Sequence, residues 1–76
     1  MTKDQVFNFL DTCEGECDYI FLYLQGKHTP IITGKDTGMD ILLQKYVIEI
    51  VSEDQTRLIA AFEYKDLQMI SNMQLL

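Results

Sequence analysis

The chain has 76 residues, of which 47% are hydrophobic, and its 12 acidic against 6 basic side chains give a net charge of −6. One domain over residues 1–76 is expected at this length, and the apolar content is high enough for a folded core, which excludes a disordered chain. The negative field repels polyanions and disfavours general nucleic-acid binding, whereas it suits solubility or docking on a basic protein.

The sequence contains no apolar run of the ~18 residues that a membrane-spanning helix needs. The opening segment MTKDQVFNFL also lacks the basic stretch and the long apolar stretch of a secretory signal. We therefore expect a cytoplasmic protein with no membrane partner.

The first predicted element is an amphipathic helix over residues 3–14. Thr2 and Gln5 have the spacing of a capping box, in which each side chain accepts a hydrogen bond from the backbone N–H of the other residue. Gly15 favours a helix end at this point, since glycine tolerates the left-handed conformation. The apolar residues that share one helical face are Val6, Phe9, Leu10 and Cys13.

A β-strand follows, because the hydrophobic period changes to two at Tyr19. The segment YIFLYL places Tyr19, Phe21 and Tyr23 on one face and aliphatic residues on the other, so both faces are apolar. A single short helix can cover only one of them. Together with the apolar residues Leu75 and Leu76, this pattern predicts a homo-oligomer in which these side chains contact a partner subunit.

Four more strands are expected after a turn at QGK. A strand over residues 29–33 begins at an edge or a bend, since Pro30 has no N–H to donate. DILLQKYVIEIV either opens with a short helical turn or runs as one long bent strand; TRLIAAFEY pairs back on it after the polar turn SEDQ, and LQMIS forms the last strand. The predicted fold is α+β and mainly β: an N-terminal helix followed by a strongly bent five-stranded antiparallel sheet.

The stretch TGKDTGMD (33–40) is dense in Gly, Asp and Thr. A phosphate loop is excluded, because Thr29 stands where that motif has its first glycine and Asp36 stands where it has a hydroxyl. A calcium loop is disfavoured, because Asp36 and Asp40 lie four residues apart rather than at alternate positions. The stretch is instead predicted to be a turn between two strands, with exposed carboxylates that steer a basic partner.

The sequence does not offer a complete set of residues for a catalytic or a metal-binding site. Cys13 and Cys17 form one C-x3-C pair, and zinc sites usually have four ligands at recurring spacings. His28 beside a turn is read as a solvated side chain, and a Cys–His pair could form only in space. We expect no enzyme, cofactor or metal, and two thiols outside any disulfide. The other candidate metal ligand in the sequence is His28, and carboxylates nearby are those of Glu14, Glu16 and Asp18.

Several fragments resemble the Sm-like fold of Hfq and the Sm and LSm proteins. KDQVFN (3–8) is similar to the start of the Hfq helix, and YLQG (23–26) resembles the Leu-x-x-Gly that leaves the first strand. DTGMDILL (36–43) looks like the Sm1 pattern D-x-aromatic-M-N, and EYKDLQMI (63–70) is similar to the Hfq Tyr-Lys-His segment with its last strand. The fragments cover most of the chain, with gaps between them. The resemblance implies a small ring-forming barrel of Sm-like fold.

The resemblance also implies a base-binding set, because the loop between the second and third strands of that family faces the pore of the ring and holds a base. Carried over by position, this set consists of Asp36, Met39, Asp40, Lys65 and Lys3.

The chain departs from the family pattern at several of these positions. Gly38 stands where the family has the aromatic residue that stacks on the base, and Asp40 stands where an Asn reads the base edge. Asp66 replaces the Hfq histidine, and Lys3 replaces the glutamine that contacts uridine in Hfq. The implied fold and ring survive these departures better than the implied RNA binding.

Three functions of different classes follow. The first is a non-catalytic acidic interaction protein, oligomeric, that binds a basic protein; an inhibitor of the phage type, which occupies a basic nucleic-acid-binding surface in a bacterial host, is one such protein. The second is an Hfq/LSm-like ring that binds RNA. The third is an oligomer that binds a small ligand. The net charge favours the first over the second.

Overall fold

The computed structural model describes residues 1–13 and 17–73 of the chain. Within these ranges it contains a helix, a short 3-10 helix and six strands, in one antiparallel sheet. In chain order the elements are α1 (Lys3–Cys13), β1 (Tyr19–Leu24), β2 (Ile31–Gly34), β3 (Met39–Leu43), β4 (Val47–Ser52), β5 (Leu58–Glu63), the 3-10 helix (Tyr64–Asp66) and β6 (Leu67–Ser71).

Helix α1 begins with the predicted capping box. The backbone N–H of Thr2 donates to Gln5 Oε1 at 2.8 Å, and the backbone N–H of Gln5 donates to Thr2 Oγ1 at 3.2 Å. Val6 is fully buried, and the other residues of the predicted face pack against the core. The predicted helix end at Gly15 lies outside the described residues. The predicted helix is thus confirmed over Lys3–Cys13.

The predicted class, α+β and mainly β with an N-terminal helix, is confirmed, but the number of strands is wrong: the structure has six rather than five. DILLQKYVIEIV was treated as one element and forms two, β3 and β4. The turn between them is closed by the backbone N–H of Gln44, which donates to the carbonyl of Val47 at 2.9 Å. Because the intervening Lys45 and Tyr46 are not turn-forming residue types, the sequence carries no signal for this turn.

The remaining strands lie close to their predicted places. Strand β2 covers Ile31–Gly34 instead of 29–33, while β4, β5 and β6 match the periodic segments. The order of strands across the sheet is β5-β4-β3-β2-β1-β6, so β5 and β6 are the edge strands.

The sheet consists of two three-stranded halves with a narrow junction. Strands β2 and β3 are registered at one position, Gly34 opposite Met39, whereas β3 and β4 are registered over five positions. One half is therefore β2-β1-β6 and the other is β3-β4-β5.

The core lies between α1 and the inner face of the two halves. The N-terminus that leads into α1 is held in place by the ammonium group of Met1. This group donates to the carbonyl of Tyr64 at 3.0 Å and to that of Leu67 at 2.8 Å. Burial of this apolar set is the main favourable term for folding. The buried residues of the core are Val6, Ile20, Leu22, Ile48, Ile50, Tyr64, Leu67 and Ile70.

Candidate functional site

The strand register brings three loops to one end of the sheet. Tyr19 lies opposite Gly34, and Met39 lies opposite Ser52, so the start of β1, the β2–β3 loop and the β4–β5 loop are neighbours. We call this surface the loop end and define it as Asp18, residues 35–40 and residues 53–57. The opposite end carries the β1–β2 and β3–β4 turns, the 3-10 helix and the start of α1.

The β2–β3 loop is a tight turn that needs positive φ angles. Asp36 has φ 64° and Gly38 has φ 70°. Thr37 holds the turn together, since its backbone N–H and its hydroxyl both donate to the carbonyl of Gly34, at 3.2 and 2.6 Å. The Thr37 hydroxyl oxygen also accepts a bond from the N–H of Met39 at 3.2 Å. The prediction of a turn between two strands is therefore confirmed at this position.

The β4–β5 loop is organised around a single carboxylate oxygen. Asp54 Oδ1 accepts bonds from the hydroxyls of Ser52 and Thr56, both at 2.7 Å, and from the backbone N–H of Thr56 at 3.1 Å. Ser52 Oγ in turn accepts from the N–H of Arg57 at 3.1 Å. These hydrogen bonds, the one from Ser52 first, lower the pKa of Asp54 to about 2.

Backbone hydrogen bonds join the loops into one surface. The N–H of Glu53 donates to the carbonyl of Gly38 at 2.9 Å, and the N–H of Lys35 donates to the carbonyl of Asp18 at 2.8 Å. An open groove of about 470 Å³ runs between the β2–β3 and β4–β5 loops, from Gly38 to Arg57. The three loops therefore hold fixed positions relative to one another.

Charge is distributed unevenly between the two ends. The loop end exposes five carboxylates against two cationic side chains, those of Lys35 and Arg57. Four lysines lie at the opposite end, where Glu63 pairs with Lys65 at 3.1 Å. The acidic residues of the loop end are Asp18, Asp36, Asp40, Glu53 and Asp54, and the lysines of the opposite end are Lys3, Lys27, Lys45 and Lys65.

The predicted base-binding set is divided between the two ends within one chain. Asp36 and Asp40 are exposed at the loop end, and Met39 between them is half-buried against the core. Lys65 and Lys3 are exposed at the opposite end. In residues 1–13 and 17–73, the carboxylates of Asp36 and Asp40 form no hydrogen bond. Their charge is therefore available to a partner.

The predicted oligomer surface is only partly exposed. Phe21 and Tyr23 are buried within one chain, while Tyr19 is 40% exposed. Leu75 and Leu76 lie outside the described residues. The apolar first strand therefore no longer supports self-association by itself. On edge strand β5, Leu58 is 60% exposed.

Sequence reasoning missed the contribution of the β4–β5 loop. Glu53, Asp54 and Arg57 were read as parts of a plain polar turn and strand. The spacing of Ser52, Asp54 and Thr56 at alternate positions was a usable signal, because Asp and Ser/Thr side chains often bond the backbone two residues away. The link from Glu53 to Gly38 joins distant parts of the chain and had no local signal.

Catalytic and metal-binding sites have little support among the residues that the structure describes. His28 is exposed in the β1–β2 turn, and no group of three or more His, Cys, Asp or Glu side chains in this part of the chain could hold a metal ion. No helix in the described ranges is long and apolar enough to cross a membrane. Comparisons with protein-family models, curated proteins and solved structures found no match.

Proposed function

We propose that the protein is a non-catalytic, cytoplasmic interaction module that binds a basic protein through its acidic loop end. The observation that supports this most is the placement of five exposed carboxylates on three loops that hydrogen bonds hold together. A partner surface rich in Lys and Arg would meet several negative charges at once. Such a surface is found on proteins that bind nucleic acids, and an inhibitor that covers it is the form of this function that we favour.

Two properties of the loop end suit such binding. The loops are short and their hydrogen bonds hold them in place, so little conformational entropy is lost on association. The carboxylates are exposed, so they raise the association rate by electrostatic steering more than they increase affinity. Affinity must then come from apolar contacts near them, and Leu58 lies directly after Arg57, at the start of β5.

We further propose that copies of the chain associate through their edge strands. Strand β5 has the sequence LIAAFE, which contains no Lys or Pro to block pairing with another strand. Leu58 and Ile59 are both exposed on it, and Met69 is 39% exposed on the other edge strand, β6. An unpaired apolar edge of this kind favours pairing with a second strand.

An RNA-binding ring of the Hfq/LSm type is the second candidate. The order of one N-terminal helix followed by an antiparallel sheet favours it. The absence of a stacking side chain at Gly38 and the carboxylate of Asp40 oppose it, since base stacking contributes ~1–3 kcal/mol per base. We propose the protein-binding function first for this reason.

The test compares two variants with the same net charge. The loop-end variant carries Asp36→Asn, Asp40→Asn and Glu53→Gln; the control carries Asp4→Asn, Glu63→Gln and Asp66→Asn at the opposite end. Fluorescence anisotropy measures binding of an arginine-rich peptide and of poly-U RNA at several salt concentrations. We expect the wild type and the control to bind the peptide similarly, with a steep salt dependence, and the loop-end variant to bind it at least about tenfold more weakly.

Equal loss of peptide binding in both variants would show that net charge alone acts, which would contradict a role for the loop end. Sub-micromolar binding of poly-U by the wild type in low salt would favour the RNA-binding ring instead. In that case Asp40→Asn, which restores the residue of the Sm-like family, should raise the affinity for RNA.

A further inference from the structure

Edge strand β5 joins two regions of different charge. It begins beside the β4–β5 loop, at the loop end, and it ends at Glu63, where the 3-10 helix follows. Glu53 and Asp54 lie before its start, and Lys65, whose side chain is 78% exposed, lies after its end. The direction in which a second copy pairs with β5 therefore decides which of these charges meet.

Strand β6, at the other edge of the sheet, runs toward the loop end. It follows the 3-10 helix, its residue Ser71 lies opposite Phe21, and Asn72 contacts Cys17 just before β1. If β5 of one copy paired with β6 of the next as antiparallel strands, all copies would point the same way. Each acidic loop end would then lie beside another acidic loop end, and like charges at an interface oppose association.

Antiparallel pairing of β5 with β5 of a second copy gives the opposite arrangement. Because the two strands run in opposite directions, the start of each lies beside the end of the other. The carboxylates of Glu53 and Asp54 in one copy then lie on the same side as Lys65 of the second copy. Two-fold symmetry repeats this contact, so opposite charges meet at both ends of one interface.

The outer edge of β5 can form such a pair. Its ladder with β4 is regular over Ala60–Glu63, and no other strand among the described residues covers the outer side of this segment. A bulge at Ile59 precedes it, since Ala60 and Leu58 lie opposite adjacent residues of β4. Leu58 and Ile59 are 60% and 44% exposed, so they can add apolar contacts beside the short ladder.

From these directions and charges we propose that the protein forms a two-fold dimer through antiparallel β5–β5 pairing, and not a ring through β5 and β6. The inference rests on the proposed association of edge strands and adds which edge is used and in which direction. The two loop ends of the dimer point to opposite sides. Asp18, Asp36 and Asp40 are exposed on or beside β1, β2 and β3, away from β5, so a dimer presents two surfaces to basic partners.

The experiment measures mass by light scattering and the dissociation constant of the dimer by analytical ultracentrifugation. We expect a wild-type mass of two chains of 8.8 kDa each, with weaker association at high salt. Lys65→Glu should weaken the dimer at least about tenfold in low salt, since it places a carboxylate beside Glu53 and Asp54 of the second copy. Adding Glu53→Lys in the same chain should restore much of the affinity, because both ends of β5 then have exchanged charges.

Lys27→Glu is the matched control. It makes the same charge change at the same end of the protein, but in the β1–β2 turn, with β3 and β4 between this turn and β5. The dissociation constant of this variant should stay within about twofold of the wild type.

Three results would overturn the proposal: a wild-type mass above two chains, equal weakening by Lys65→Glu and Lys27→Glu, or no gain when Glu53→Lys is added to Lys65→Glu. A wild-type mass of one chain would overturn it together with the edge-strand association. Binding of the arginine-rich peptide tests the proposed function separately, because a single chain carries the whole loop end. The wild-type mass needs no substitution, so it decides even if a variant does not fold.

Discussion

The main-chain carbonyl oxygen of Asp18 occupies the space that a β-carbon on Gly34 would need. Gly34 has φ 113°, and a β-carbon built on it would collide with that oxygen and crowd the backbone of Tyr19. The same oxygen accepts the hydrogen bond from Lys35 at 2.8 Å. The β2–β3 hairpin therefore rests directly on the chain that leads into β1, and only glycine permits this contact.

Substitution of Gly34 by alanine should destabilise the fold severely. The left-handed φ costs about 1–2 kcal/mol, and the collision with backbone atoms adds a similar amount, so we expect a loss of about 3 kcal/mol or more in the free energy of unfolding. Gly38→Ala is the matched control, because Gly38 has φ 70° with open space around it. It should lose only about 1–2 kcal/mol. Urea unfolding followed by circular dichroism measures the free energy of unfolding of both variants. Equal losses would contradict the crowding at Gly34.

Replacement of Asp36 by glycine should increase the stability of the fold. Its φ of 64° lies in the left-handed region, at the third position of the turn, where glycine or asparagine is favoured. We expect Asp36→Gly to raise the free energy of unfolding by up to about 1 kcal/mol and Asp36→Ala to lower it. Asp36→Asn separates charge from conformation, since it removes the charge and keeps the tolerance for this φ. Thermal unfolding measures the order of stability of these variants. An alanine variant more stable than the wild type would contradict the prediction.

Acid should weaken the β4–β5 loop through Asp54. Hydrogen bonds lower the pKa of Asp54 to about 2 in the folded protein, while a free aspartate has a pKa near ~3.9. A lowered folded pKa stabilises the protein above pH ~4, and this contribution is lost as the pH falls toward about 2. We therefore expect the wild type to lose more stability than Asp54→Asn over this window. Glu53→Gln, one residue away, serves as the control and should follow the wild type.

The proposed edge-strand association predicts a mass above that of one 8.8 kDa chain in light scattering at micromolar concentration. Leu58→Lys should reduce the mass toward that of one chain, because a lysine on an edge strand opposes pairing. Phe7→Lys is the matched control, since Phe7 on α1 is 57% exposed, close to the 60% of Leu58, but lies on no strand edge. A wild-type mass of about one chain would contradict association, and loss of assembly in Phe7→Lys would place the interface elsewhere.

Local sequence patterns predicted the elements whose signals are local. The capping box of Thr2 and Gln5 and the period-two segments of β4, β5 and β6 depend on neighbouring residues alone. The turn between β3 and β4 was missed, since Gln44–Tyr46 has no residue that prefers a turn and the hairpin forms because both strands bury apolar residues. Long-range strand pairing explains the other difference from the prediction, which is the burial of aromatic residues of β1.

The burial of the outer aromatic residues of β1 is one such long-range effect. Phe21 lies opposite Ile32 of β2, and Tyr23 lies opposite Met69 of β6, so cross-strand neighbours flank both rings. The sequence showed that the strand is apolar on both faces but could not show which strands would lie beside it. The acidic loop end has the same origin, because Asp18, Gly38 and Glu53 are far apart along the chain and meet only through the register.

Strands β2 and β3 are joined by a single registered pair, which lies at the loop end. Gly34 and Met39 are the one rung of the ladder that connects the two halves of the sheet, and the hydrogen bond from Glu53 to Gly38 is a second tie beside it. Asp18 belongs to the half that contains β1, and Glu53 to the half that contains β4. In the proposed function, a partner that binds both carboxylates would contact both halves of the sheet at once, as well as cover a charged surface.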